Sequence, residues 1–219
     1  MKVAAIIPAY NEEATIGKII ETVKQVRDIS EIIVVNDGSS DHTSLIAKTH
    51  QVMVVDLPKN QGKSGAVMAG VRMTAAQSVL FLDADLVGLT PSHVQALLTP
   101  VLKEKKYMSL GIIDRGKLLT RLSLFFVKHH LPWPVLTGQR AVKRSVLDRL
   151  SHNDLQEYSI ETALNEFCRD HNLPVAYVPL SGLNHVIKEK KMGFLKGFKA
   201  RIKMFINVFM AFMKIRFKI

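Results

Sequence analysis

Three features of the sequence predict an α/β fold with a mainly parallel central sheet flanked by helices. Short β-rich runs alternate with helix-length stretches through residue 85, the order expected of right-handed strand–helix–strand crossovers. The runs read as buried strands, as in a sheet covered on both faces. Each of three runs ends in a polar cluster: Pro8-Ala9-Tyr10-Asn11-Glu12, Asn36-Asp37-Gly38-Ser39-Ser40-Asp41 and Asp83-Ala84-Asp85. Such a sheet binds ligands at the carboxyl ends of its strands.

Element by element, residues 2–7, 31–35, 52–56 and 78–83 read as strands, and 12–27, 42–49 and 63–76 as the helices between them. Residues 91–105 read as a helix that Pro100 kinks or breaks, since proline lacks the donor and crowds the preceding turn. Residues 107–113 then read as a strand, 117–130 as a helix and 135–142 as a strand crossing the site. Residues 158–170 read as a helix and 175–179 as the last strand. The opening run is a strand rather than a signal peptide, because Pro8, Glu12 and Glu13 interrupt it before an apolar core can form. No repeat or flexible linker divides the chain. A change of composition separates residues 1–190 from a tail, 191–219.

The 219 residues are 47% hydrophobic, enough for a core, which excludes a collagenous or disordered chain. Cys168 is the single cysteine, so there is no disulfide scaffold; a reducing compartment and a buried, small apolar role follow. The net charge of +11 is unevenly spread: from Val186 onward there are ten basic residues and one acid, leaving a surplus of only two elsewhere. Nucleic-acid binding calls for a basic folded surface, which this distribution does not supply.

In the tail, Phe194, Phe198, Ile202, Phe205, Phe209 and Phe212 recur at steps of three and four, with Lys196, Lys199, Lys203, Asn207, Lys214 and Lys218 on a second stripe. This is a basic amphipathic helix. Its longest uncharged run, Met204 to Met213, is ten residues, about half of the ~20 needed to span a bilayer. Lying on a membrane, it puts its aromatics at the acyl boundary and its lysines near anionic headgroups. Packing on its own domain and mediating a homodimer are the other readings.

Asp83 and Asp85, one residue apart at a strand end, can project into one cleft and hold a divalent ion through oxygen ligands, or serve as loop carboxylates. Asp37 can accept the imide N–H of a pyrimidine. The turn around it reads equally as helix-start chemistry, with Ser40 or Asp41 as the cap and Gly38 in a backbone region others avoid.

Taken together, Pro8-Ala9-Tyr10-Asn11-Glu12-Glu13, Val35-Asn36-Asp37-Gly38-Ser39-Ser40-Asp41, Asn60-Gln61-Gly62-Lys63-Ser64-Gly65-Ala66 and Leu82-Asp83-Ala84-Asp85 resemble the family 2 glycosyltransferases with the GT-A fold. The later chain is similar to polyprenyl- and dolichol-phosphate sugar transferases and to glucosyl-3-phosphoglycerate synthase-like enzymes. Leu136-Thr137-Gly138-Gln139-Arg140-Ala141 resembles their acceptor loop, usually Ser-Gly-Phe-Arg-Ala, with Gln139 as a departure. Tyr158-Ser159-Ile160-Glu161-Thr162 and His185-Val186-Ile187-Lys188-Glu189 resemble later motifs of the second group.

The resemblance implies that Pro8, Tyr10 and Glu12 line the nucleotide pocket, Asp37 recognises the base, and Gly62 and Lys63 approach the ribose or diphosphate. Asp83, Ala84 and Asp85 would then lie at the phosphates of a nucleotide-diphosphate sugar with Mg2+ or Mn2+. His185 would be a third metal ligand. Charge growing on the leaving phosphate is stabilised most by a metal held at Asp85, in the transition state. Glu161 is the candidate base or acceptor ligand, or else an acid complementing its helix dipole. Arg140 and Arg144 are candidate clamps for an acceptor phosphate, or plain surface charge. Residues 117–128 correspond to an interfacial helix of the lipid-phosphate transferases, or pack in the core.

The expectation is a metal-dependent hexosyltransferase peripheral to the cytoplasmic face of a membrane. It takes a nucleotide sugar, UDP before GDP, and a lipid acceptor, polyprenyl phosphate in particular. A soluble acceptor such as a phosphoglycerate, and a non-catalytic nucleotide-binding scaffold, are the alternatives.

Overall fold

The computed structural model describes residues 2–113, 137–150 and 159–185. Seven strands form one sheet: β1 (Val3–Ala9), β2 (Glu31–Asn36), β3 (Met53–Asp56), β4 (Ser78–Phe81), β6 (Met108–Ile113), β7 (Arg140–Lys143) and β8 (Val175–Leu180). Their order across the sheet is β3-β2-β1-β4-β7-β6-β8. All neighbours are parallel except those of β7, which runs antiparallel to both β4 and β6. A separate antiparallel pair joins β5 (Leu86–Val87) to β9 (Asn184–His185).

Helices cover both faces because successive side chains of a strand point to opposite sides. Val3, Ala5, Ile7 and Ala9 enter a core with α1 (Ile16–Lys24) and α4 (Pro91–Lys103), whereas Ile6 enters a second core with α3 (Gly62–Arg72) and α6 (Ile160–Asp170). Two shorter helices, α2 (Thr43–Thr49) and α5 (Arg144–Leu147), complete the described residues. The buried face of α1 is Ile16, Ile19, Ile20 and Val23, one turn apart in pairs.

Three expectations are corrected. The first helix starts at Ile16 rather than residue 12, because backbone donors before it are spent on the β2–α2 loop: Asn11 N–H on Ser39 Oγ (3.0 Å), Glu12 N–H on Thr43 Oγ1 (2.8 Å) and Glu13 N–H on Asp41 Oδ2 (3.1 Å). Pro100 does not break α4, whose apolar face of Val94, Leu97, Leu98 and Val101 is buried on both sides of it. Core burial over that span outweighs the one lost hydrogen bond. The β5–β9 pair lies outside the expected elements, since two residues carry no periodicity to read.

The short helix α5 likewise lies outside the expected elements, and of the strand expected over 135–142 only Arg140 onward is a strand among the described residues; the other strands and helices agree with expectation to within a few residues at their ends. The helix expected over 117–130 and the tail of 191–219 lie outside the described residues. Among the described residues, no helix is long and apolar enough to cross a membrane.

Candidate functional site

Because β1, β2 and β4 are parallel neighbours, their carboxyl ends open on one edge of the sheet. Asp37 follows β2, and its N–H donates to the Ala9 carbonyl at the end of β1 (2.8 Å). Asp83 follows β4, on the other side of β1, so Asp37 and Asp83 stand two strands apart, about 10 Å along the edge. The antiparallel β7 begins at this same edge: Arg140 pairs with Phe81, which sets Thr137, Gly138 and Gln139 beside Leu82 and Asp83. The first turns of α3 and α6 meet there too, with Ile160 N–H donating to Ser64 Oγ (3.1 Å).

These elements converge on Lys63. Its Nζ lies 2.5 Å from Asp83 Oδ1 and 2.8 Å from Glu161 Oε1. Removal from water opposes the charge on Lys63, but the two carboxylates outweigh that and hold the ammonium above its ordinary pKa. Burial likewise would raise Glu161, yet Lys63 and Arg140 prevail and keep it below the usual carboxylate value. Lys63 and Glu161 are therefore both charged at neutral pH. Gly138 makes the arrangement possible, because a Cβ there would collide with both Asp83 carboxylate oxygens and with Lys63 Nζ. The narrow cleft over this cluster is lined by Pro8, Val67, Phe81, Ile160 and the charged trio, among others.

On the other side of Asp83, Asp85 Oδ1 lies 2.9 Å from His185 Nδ1. The pairing of Leu86 with His185 across β5 and β9 brings this histidine back from a point 100 residues later in the chain. Asp83, Asp85 and His185 each offer a ligand atom within 4.8 Å of the others. Two carboxylates and an imidazole, all partly accessible, are a donor set that suits Mn2+ or Mg2+. The residues present fit such an ion.

The other residues expected at the site fall around this centre. Pro8 lines the cleft and Ala84 is buried between the two aspartates. Tyr10 is 49% exposed just beyond β1. Glu12 belongs to the turn before α1, where its backbone carbonyl accepts from Thr15 and Ile16 N–H. Asp37 is buried, and its Oδ1 accepts from Gln61 N–H (2.7 Å), fastening the loop before α3 to β2. Gly62 opens α3 at φ +75°, a conformation that favours glycine. Neither Ser40 nor Asp41 caps α2, whose cap is His42; Asp41 lies one residue earlier and accepts from Thr43 N–H (3.0 Å).

Two candidates are not placed to clamp an acceptor. Arg140 is 1% exposed, and its guanidinium donates to the carbonyls of Thr137 (2.6 Å) and Glu161 (3.1 Å) and to Asn165 Oδ1 (3.3 Å). Burial lowers it to about 10, so it remains charged while bracing the loop before β7 against α6. Arg144 follows β7 at the opposite edge of the sheet, where it holds the Val71 and Thr74 carbonyls and Asp148. An arginine in a sequence motif does not reveal which end of an antiparallel strand it occupies. Cys168 is buried, as expected, with its thiol pushed up to about 11 by that burial. The roles of Gly138 and Gln139 went unassigned from sequence; the one available signal was the departure at Gln139.

Comparison with known proteins agrees with this geometry. The glycosyl transferase family 2 model matches residues 4–153. The chain is 38% identical over 98 residues to the 4,4'-diaponeurosporenoate glycosyltransferase of Staphylococcus aureus strain MRSA252, covering 42% of this chain and 26% of that one. It is 32% identical over 109 residues to the glucosyl-3-phosphoglycerate synthase of Mycolicibacterium smegmatis, covering 46% and 36%. The matches thus span only about a quarter to a third of these relatives' own lengths. The crystal structure of glucosyl-3-phosphoglycerate synthase from Mycobacterium tuberculosis, in complex with Mn2+, UDP and phosphoglyceric acid, superimposes with a TM-score of 0.70. The identity there is 26%, over 84% of this chain and 70% of that one. The sheet order, the strand-end carboxylates and the family match over most of the described core have one meaning: the fold is GT-A, and the chain belongs to glycosyl transferase family 2.

Proposed function

We propose that this chain transfers a hexosyl group from a UDP-sugar to an acceptor carrying an anionic or hydroxyl nucleophile. The observation that carries the reading is the clasp of Lys63 by Asp83 and Glu161 immediately beside the Asp83–Asp85–His185 group. Asp85 and His185, with Asp83, would hold Mn2+ or Mg2+, which when bound neutralises charge growing on the departing diphosphate. Lys63 presents a fixed positive charge to the same phosphates, already oriented before the donor arrives. Asp37 recognises the uracil imide at the far end of the edge, and Pro8 and Tyr10 flank the nucleotide. Glu161, held ionised, is the base for a hydroxyl acceptor and an orienting group for one that is already anionic.

The acceptor we favour is a lipid at the cytoplasmic face of a membrane, polyprenyl phosphate foremost. The support is the basic, aromatic tail after Val186 and the basic-edged apolar stretch over 117–128, together with the likeness to an enzyme named for a carotenoid acid. The second reading, a phosphorylated glycerate, is favoured by the likeness to a synthase crystallised with phosphoglyceric acid.

Turnover of UDP-glucose with Mn2+, measured for the parent chain and Asp85→Ala, tests the enzymatic reading: equal rates for the two would reduce the protein to a nucleotide-binding scaffold. Co-sedimentation with anionic liposomes, with and without residues 191–219, tests the acceptor class. Binding that depends on the tail supports the lipid, whereas no binding by the full chain, with transfer to 3-phosphoglycerate, supports the soluble acceptor.

A further inference from the structure

Gln139 stands where the acceptor-loop pattern usually has phenylalanine, and it is fully buried beside a charged group. A polar side chain in that position needs partners, and it has them at both ends. Its Nε2 donates to Asp83 Oδ2 (2.8 Å), and its Oε1 accepts from Thr137 Oγ1 (2.6 Å). The Gln139 N–H in turn donates to Thr137 Oγ1 (3.2 Å). The Asp83 carboxylate only accepts, so the amide NH2 must face it; that leaves the amide oxygen to the Thr137 hydroxyl, which holds the far end of the side chain in place.

Resting on the reading of the cleft given above, we propose that Gln139 is a positioning residue for Asp83, with Thr137 as its orienting group. Asp83 needs two things at once: one oxygen toward Lys63 and a carboxylate plane that leaves it within reach of the cation shared with Asp85 and His185. Lys63 alone holds only Oδ1, and a carboxylate tethered at one oxygen can turn about its terminal bond. The Gln139 amide takes the second oxygen and stops that rotation. A neutral donor does this without adding a second cation beside the metal group, as an arginine or lysine would. The result is one line of contacts, Thr137 to Gln139 to Asp83 to Lys63 to Glu161, in which the only charged groups are the three that face the cleft.

The test is Mn2+ binding in the presence of UDP, followed by the electron paramagnetic resonance of free Mn2+, on the full chain. Gln139→Leu should weaken Mn2+ binding by about tenfold, the size of one lost hydrogen bond to a charged group. Thr137→Val leaves Gln139 and its packing in place and should weaken binding about threefold, while Thr137→Ser, which keeps the hydroxyl, should restore it. Because Thr137 acts through Gln139, the double variant Thr137→Val/Gln139→Leu should be no worse than Gln139→Leu. Parent-like Mn2+ binding by Thr137→Val, or equal losses in the Ser and Val variants, would overturn the proposal even if Gln139→Leu fails to fold. Asp85→Ala serves as the reference: if it too binds Mn2+ like the parent, the reading of the cleft as a cation site is what has failed. If only the Gln139 and Thr137 variants are parent-like, the failure is of the positioning role alone.

Discussion

Lys63 Nζ and Asp83 Oδ1 lie 2.5 Å apart, joining the first turn of α3 to the residue two beyond β4. This contact determines the shape of the cleft, because it sits directly over the α-carbon of Gly138 and brings Glu161 in from the start of α6. Charge, backbone and the loop before β7 are thereby coupled at one point.

Replacing Lys63 by Ala leaves Asp83 and Glu161 as facing carboxylates with no cation between them, and, on the proposed function, removes a positive charge from the donor phosphates. We expect UDP-glucose turnover to fall by about 10²–10³-fold, the range for losing one preorganised electrostatic contact. Lys63→Arg should recover only part of it, since the wider guanidinium meets Gly138. Steady-state rates with saturating Mn2+ decide the matter.

Gly138→Ala forces a methyl group into the Asp83–Lys63 pair. The expected outcome is a loss of about 1–3 kcal/mol of stability, typical of overpacking, together with a fall in turnover comparable to that of Lys63→Ala. Urea unfolding midpoints and rates measured on the same preparation check both parts. A parent-like rate would show that the clasp is not needed in this form.

Arg140 is a brace rather than a clamp. Arg140→Met strands the Thr137 and Glu161 carbonyls and removes a buried charge that faces Glu161. We expect about 3 kcal/mol of destabilisation, visible as a lowered denaturation midpoint. An acceptor clamp would show the opposite pattern, with stability retained and only the acceptor KM raised.

Cys168 should be inert to thiol reagents in the folded protein. With its thiol raised to about 11 by burial, only about one molecule in a thousand carries the thiolate at pH 8. Alkylation followed by mass spectrometry should therefore show slow labelling that accelerates as pH rises toward 11, and rapid labelling at any such pH once urea unfolds the chain. Fast labelling of the native protein at pH 8 would contradict the burial.

Much of this architecture is legible without coordinates because it rests on local signals. Apolar runs ending in Tyr10, Asp37 and Asp83 mark strands and their ligand-facing ends, and the spacing of Ile16, Ile19, Ile20 and Val23 marks a helix face. Helix starts are less legible: α1 begins late because its upstream donors go to side chains 28 to 31 residues away, partners that no window around residue 12 contains.

By itself, the sequence established an α/β sheet with carboxylates at its strand ends, a family 2 transferase pattern, a lone buried cysteine and a basic apolar tail. The family resemblance already grouped Asp83, Asp85 and His185, with Lys63 and Glu161 near them; tertiary structure decided the contacts they make and which of the other candidates stay away. It brought His185 to Asp85 across a two-residue strand pair, set Glu161 on Lys63, turned Arg140 into the core and Arg144 to the far edge, and gave Gln139 a carboxylate to hold. The physical reason is that a strand's direction in the sheet fixes which of its ends meets the ligand edge. For β7, the reversed strand, that direction comes from pairing with β4 and β6, not from any residue within it.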